Sequence, residues 1–177
     1  MFRRKNPRNA LQNARQIFWP SMGWLRALKY TKHRVIRLSD TPERIAAGLA
    51  TGAVASYNPI LGTHFIQAGL VSYLLRFNVI GALIGTFVGN PWTFPFLWWA
   101  AVETGSFIFG MFGMTASKAL PPELTFSILW DLIVHHPWRV FLPWLVGSYV
   151  LAIVTWPLFF GVFYALVKSA KMARDKT

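Results

Sequence analysis

Residues 81–95 carry an apolar helix pattern faced with Gly81, Gly85 and Gly89, and Asn90-Pro91 and then Pro95 interrupt it while the surrounding residues stay hydrophobic. A proline inside a helix removes a backbone donor and clashes with the carbonyl four residues back. Polar backbone freed among lipid chains is tolerated only where protein or water covers it. A chain built on such a stretch must therefore shelter its own interruption.

The setting is a membrane one. Of the 177 residues 54% are hydrophobic, 16% aromatic and only 14% charged, far from the balance of a soluble domain. No Ser, Gly or Pro-rich linker divides the chain, which predicts one compact unit. Absence of cysteine excludes disulfides, thiolate metal sites and cysteine nucleophiles. The net charge of +12 is unevenly placed, with 11 of 18 Lys and Arg in residues 1–44 and Lys168, Lys171, Arg174 and Lys176 at the other end. Basic clusters flanking apolar segments are the pattern of membrane orientation and anionic-lipid attraction, and they argue against nucleic acid as partner.

Residues 1–13 are polar and basic and lack the apolar core of a secretory signal, so no cleaved signal is expected. Residues 17–30 mix aromatic and cationic side chains, which suits a helix lying in the headgroup layer; the alternative is a solvated basic tail. Together residues 1–44 read as a basic interfacial arm. Asp40 or Thr41 caps a helix that Pro42 and Glu43 open. Residues 45–57 are rich in Gly and Ala, with a GxxxG pair at Gly48 and Gly52, and cover about 20 Å, short of a hydrocarbon core of about 30 Å. Asn58-Pro59 follows, then a second apolar run that ends at Arg76. The sequence predicts a re-entrant or hairpin pair over 45–75, with one long Pro-kinked span as the alternative.

From Val79 the outline repeats: glycines four apart, then Asn-Pro, 32 residues after the first. Two interrupted segments of this kind are the cue for discontinuous helices meeting inside the membrane; the alternative is chance recurrence of helix-interface glycines. Full transmembrane helices are predicted near 94–116 and 140–167. The neutral connection 117–139 between them, amphipathic over 126–134, reads as outside. Pro157 is expected to kink the last helix. A basic cytoplasmic tail, 168–177, closes a membrane domain of 45–167. The predicted class is an all-α integral membrane protein with broken or re-entrant helices at 45–95 and both termini cytoplasmic.

The ordered run of Thr41-Pro42-Glu43-Arg44 with Ile45-Ala46-Ala47-Gly48, Asn58-Pro59 with Gly62-Thr63-His64, Arg76-Phe77-Asn78, and Gly85-Thr86 with Gly89-Asn90-Pro91-Trp92-Thr93-Phe94-Pro95 resembles the bacterial membrane family called domain of unknown function 2062. The resemblance covers roughly residues 30–167 and implies a multi-pass protein of the bacterial inner membrane, without an activity. Glu103 lies outside that motif run.

Polar groups within apolar segments are candidates for a pathway or binding site. They are Asn58, Pro59, Thr63, His64, Gln67, Arg76, Asn78, Asn90, Pro91, Thr93 and Glu103, with 63, 64 and 67 sharing one helical face. If the half-helices meet, their carbonyls and Asn amides form a polar pocket, and the helix starts after Pro59 and Pro95 present donors to an anion. The competing reading is that both Asn residues merely cap half-helices. No nucleophile elbow, paired carboxylates or phosphate-cradling loop appears, and Asp131 with His135 and His136 is too small a set for a metal site. Neither an enzyme nor a cofactor or metal is expected. A transporter or lipid translocator for an anionic or phosphate-bearing substrate leads, with a non-catalytic scaffold for an envelope-biosynthesis partner as the alternative. The expected partners are membrane lipids and either further copies of the chain or another membrane protein.

Overall fold

The computed structural model describes residues 38–60, 62–114, 126–135 and 137–174, and every regular element among them is helical. The interfacial arm expected over 1–44 lies outside the described residues up to position 37.

Helix α1, Pro42–Ala55, starts as its residues dictate. The Thr41 hydroxyl accepts from the Arg44 amide at 3.3 Å and Pro42 occupies the first turn. Beside it the Glu43 backbone N–H, aided by the Thr41 and Tyr164 hydroxyls, holds the Glu43 carboxyl below the usual carboxylate range. That contribution is present at neutral pH and lost as the pH falls through the lowered value. α1 ends in tight turns from Ser56 to Asn58, because Pro59 disfavours helical backbone at the residue before it.

α2, Thr63–Leu74, runs back antiparallel after Gly62, whose φ of 88° suits a residue without Cβ. The two ends of this hairpin are tied: Arg44 Nε donates to the Arg76 carbonyl at 2.7 Å, and the Asn78 amide donates to the Arg44 carbonyl at 2.9 Å. α3, Val79–Gly85, is capped by Asn78, whose side-chain oxygen accepts from the Gly81 amide at 2.7 Å, and a 3₁₀ turn, Thr86–Val88, extends it. α4, Phe94–Met111, α5, Phe126–Val134, and α6, Leu142–Arg174, complete the described chain, with a π turn at Pro137–Phe141 before α6.

α1 is central, and every residue from Ile45 to Val54 is buried. Its neighbours are α2, α3 and α6. The approach to α3 is backbone against backbone: a Cβ on Gly48 or Gly52 would strike the Asn78 or Ala82 carbonyl, and one on Gly85 would strike that of Leu49. The second close crossing joins α4 to α6, where Gly105 faces the Pro143 carbonyl and Gly147 faces that of Ala101. Trp98 and Trp144 fill the space beside it, their rings edge to face at 5.2 Å.

Among the described residues one helix is long and apolar enough to cross a bilayer, Leu142–Ala173 within α6. It differs from the expected 140–167 at its end, continuing through Lys168 and Lys171 to Arg174 rather than stopping at the first charge. Lysines on an exposed helix end reach water along their own stems, so the charge does not stop the helix. Pro157 sits inside the continuous α6. The expected interruptions of 45–95 fall at 56–62, 75–78 and 86–93.

Replacing Gly52 by Ala forces a Cβ into the Ala82 carbonyl and is expected to destabilise the fold by about 1–3 kcal/mol. Gly69→Ala, where nothing lies within 4 Å, is expected to be neutral or to gain up to about 1 kcal/mol from helix propensity. Thermal unfolding of the two purified variants in detergent checks the contrast.

Candidate functional site

The first interruption places a connected set of polar side chains beside a groove. Asn58 is 5% exposed and its oxygen accepts from the Ile60 amide at 2.8 Å, an Asx turn that satisfies the backbone freed by Pro59. Its amide nitrogen is thereby aimed outward, to Gln67 Oε1 at 3.2 Å and to the Tyr149 hydroxyl at 3.5 Å. The Tyr149 hydroxyl donates to the same Gln67 oxygen at 3.4 Å, and Gln67 Nε2 donates to Thr63 Oγ1 at 3.2 Å. Asn58, Thr63, Gln67 and Tyr149 thus form one uncharged network drawn from α1, α2 and α6.

That network closes one end of a groove of about 520 Å³ between the three helices. The remaining wall is almost wholly apolar, and its rim residues Val71, Leu75 and Ile153 are exposed. At the other end, Trp156 Nε1 donates to Thr51 Oγ1 at 3.1 Å, and the Trp156 ring stacks on Phe77 with centroids 5.8 Å apart. The groove exists because α1 offers Thr51 and Ala55 where larger side chains would fill the space between α2 and α6.

The second interruption is satisfied within itself. Asn90 Oδ1 accepts from the Trp92 and Thr93 amides at 3.0 and 3.2 Å, and Thr93 Oγ1 donates to the Val88 carbonyl at 2.6 Å. Pro91 is exposed on the outside of this turn. The amides of Phe94, Phe96 and Leu97 are also taken, by the Asn90 and Thr93 carbonyls, so the start of α4 presents no free donors there. The two interruptions lie side by side: Ser56 Oγ donates to the Thr86 carbonyl at 3.3 Å, and Gly89 packs on Ser56.

The other candidates do not join the network. Pro59 is buried in the turn. His64 is buried on the adjoining face of α2, its ring 4.3 Å from that of Phe65 and 6.0 Å from that of Phe94. Glu103 is partly buried on α4 and makes no ion pair among the described residues. Asn78 and Arg76 lie at the far end of α2, about 20 Å along its axis from Thr63. There Asn78 Nδ2 donates to Asp40 Oδ2 at 3.1 Å, Arg44 pairs with Asp40 at 3.3 Å, and Lys171 on α6 donates to the Asp40 carbonyl.

Arg76 has a φ of 58°, the left-handed region. It closes α2 in a paired turn, with the Phe77 amide on the Ser72 carbonyl at 2.8 Å and its own amide on that of Tyr73 at 3.2 Å. Glycine is the ordinary occupant of such a position, so an exposed arginine with no ion-pair partner among the described residues is held there against its own preference.

Sequence reasoning missed Tyr149, Thr51 and Trp156. Nothing in the spacing links positions near 51–67 to positions near 150; only the run of amphipathic aromatics in an otherwise apolar segment marks them. Asp131 and His135 pair at 2.9 Å on the exposed α5, and no group of three metal-ligating side chains occurs among the described residues.

A family model described as "Uncharacterized protein conserved in bacteria (DUF2062)" matches residues 25–176. No curated protein and no solved structure matches the chain.

Substitutions at two positions on and just after α2 test these backbone and burial arguments. Arg76→Gly is expected to hold the fold within about 1 kcal/mol of the parent, because glycine adopts the left-handed backbone freely, whereas the β-branched Arg76→Val is expected to lose about 1–2 kcal/mol. Ser72→Ala removes a fully buried hydroxyl that has no hydrogen-bond partner among the described residues and is expected to raise stability by about 1 kcal/mol. Melting temperatures in a common detergent check both.

Proposed function

The chain belongs to this family of uncharacterized bacterial proteins, and from that premise we propose that it is a multi-pass inner-membrane protein that binds and translocates an amphiphile with an anionic or phosphate-bearing headgroup. In this reading the α1–α2 hairpin is re-entrant, entering from the cytoplasmic side and returning to it at Arg76. α3 and α4 in series make one crossing, interrupted at 86–93, and α6 makes the return crossing.

Lengths support this arrangement. Lys168 to Tyr149 is 19 residues, about 29 Å of helix rise and close to one hydrocarbon thickness. The Asn58 network lies level with Tyr149, so the groove reaches from the bilayer interior to the face opposite the basic end. Both termini then lie on the cytoplasmic side, where Arg44, Arg76, Lys168 and Lys171 attract anionic headgroups.

The observation that carries the reading is the groove itself. A slot that is apolar along its length, open at an exposed apolar rim and closed by a hydrogen-bonding network suits an amphiphile laid in from the side. In this reading the groove serves binding and transport rather than chemistry, its described lining being uncharged and mostly apolar.

The test is reconstitution in vesicles with a fluorescent anionic phospholipid. Asn58→Leu, which keeps the branched shape and removes the contacts to Gln67 and Tyr149 together with the Ile60 cap, is expected to cut transbilayer movement per folded molecule at least about tenfold, the equivalent of 1.4 kcal/mol or more. Asn90→Ala is expected to cost about 1 kcal/mol of stability while leaving movement per folded molecule intact. Undiminished movement in a well-folded Asn58→Leu protein would remove the proposal.

A further inference from the structure

The polar end of the groove carries no charge. Its hydrogen bonds are also long: 3.2, 3.4 and 3.5 Å among Asn58 Nδ2, Gln67 Oε1 and the Tyr149 hydroxyl. Ordinary values are about 2.9 Å for N–H···O and about 2.7 Å for O–H···O. The Asn58 amide nitrogen carries two protons and the Gln67 oxygen two lone pairs, so with the Tyr149 hydroxyl this end of the groove presents both donors and acceptors and no charge. A ligand hydroxyl is donor and acceptor at once. At this end it can accept from Asn58 Nδ2 and donate to Gln67 Oε1 in exchange for the longer contacts to the Tyr149 hydroxyl, which then faces the ligand.

Phosphate is not what this end is built for. Among the described residues no Lys, Arg, His, Asp or Glu lines the groove, and a phosphate drawn into it would lose its hydration without a counter-charge from them. The groove is also narrow in extent. Along α6 the groove runs from Tyr149 to Trp156, seven residues on and about 10 Å of rise, a length that takes a segment of one chain rather than a whole lipid body.

We propose that the Asn58–Gln67–Tyr149 end selects membrane lipids by the hydroxyl groups of a polyol headgroup, glycerol or a ring polyol, while the phosphate stays at the rim and one chain lies against Val71 and Ile153. This rests on the groove being a lipid site, and it adds the feature that the site reads.

The experiment compares lipids of equal charge. A benzophenone amino acid is placed at Ile153, which lines the groove, and separately at Ile80, which is exposed on α3 and does not. The full chain is reconstituted in phosphatidylcholine vesicles containing equal fractions of radiolabelled phosphatidylglycerol, phosphatidylinositol or phosphatidylmethanol, the last lacking headgroup hydroxyls. Capture of phosphatidylglycerol or phosphatidylinositol at position 153 is expected to exceed that of phosphatidylmethanol by about tenfold, with no preference at position 80. The stronger of the two polyol lipids identifies the polyol.

Tyr149→Phe, which keeps the ring and removes one hydroxyl, is expected to reduce the preference several-fold and leave phosphatidylmethanol capture unchanged. Asn58→Leu with Gln67→Leu is expected to abolish it. Equal capture of all three lipids at 153, above the level at 80, would overturn the polyol assignment and leave the groove reading standing. Capture at 153 no greater than at 80 for every lipid would overturn both.

Discussion

The structure depends on one contact type, a helix backbone pressed directly on the backbone of its neighbour. α1 is enclosed from Ile45 to Val54, and it can be enclosed only because its residues are small enough for the Asn78 and Ala82 carbonyls to sit against Gly48 and Gly52. Small residues let two helices approach until their backbones touch, and the close van der Waals packing that results holds the contact. Gly105 and Gly147 repeat the device between α4 and α6. The two crossings are joined where Thr155 Oγ1 donates to the Tyr57 hydroxyl at 3.4 Å and Trp156 Nε1 to Thr51 Oγ1.

The groove follows from the same economy of side chains. A helix small enough to be gripped on its α3 side is also too small to fill the angle between α2 and α6 on the other, and aromatic residues only partly close that angle. Phe77 and Trp156 shut its basic end by stacking, and Trp156 stacks in turn on Phe160 at 5.3 Å. At the opposite end the Asn58 and Gln67 amides and the Tyr149 hydroxyl close the gap.

Much of this was legible in the chain. Thr41, Pro42 and Glu43 declared the start of α1, Asn58-Pro59 and Asn90-Pro91 declared the interruptions, and the Gly48 and Gly52 pair declared a close crossing, because each acts on backbone within a few residues. Gly85 facing Leu49 was not legible in that way, since glycine spacing marks a crossing without naming the partner. The left-handed Arg76 was hidden because its residue type argues against its backbone conformation. Tyr149 entered the candidate site only through tertiary structure, 91 residues from Asn58, and periodicity carries no information at that range.

The two Asn-Pro interruptions solve one problem in different ways, and the difference bears on function. At Asn90 the side-chain oxygen, the Thr93 hydroxyl and the local carbonyls satisfy one another, so removing that asparagine disturbs a turn and little else. At Asn58 the oxygen performs the same local duty toward the Ile60 amide, but the nitrogen is spent on Gln67 and Tyr149 across the groove. A cap alone has no use for a second, long-range set of partners held at long distance. The two Asn-Pro turns share their backbone chemistry and differ in what the spare amide faces, and at Asn58 that amide joins three separate segments of the chain beside the groove.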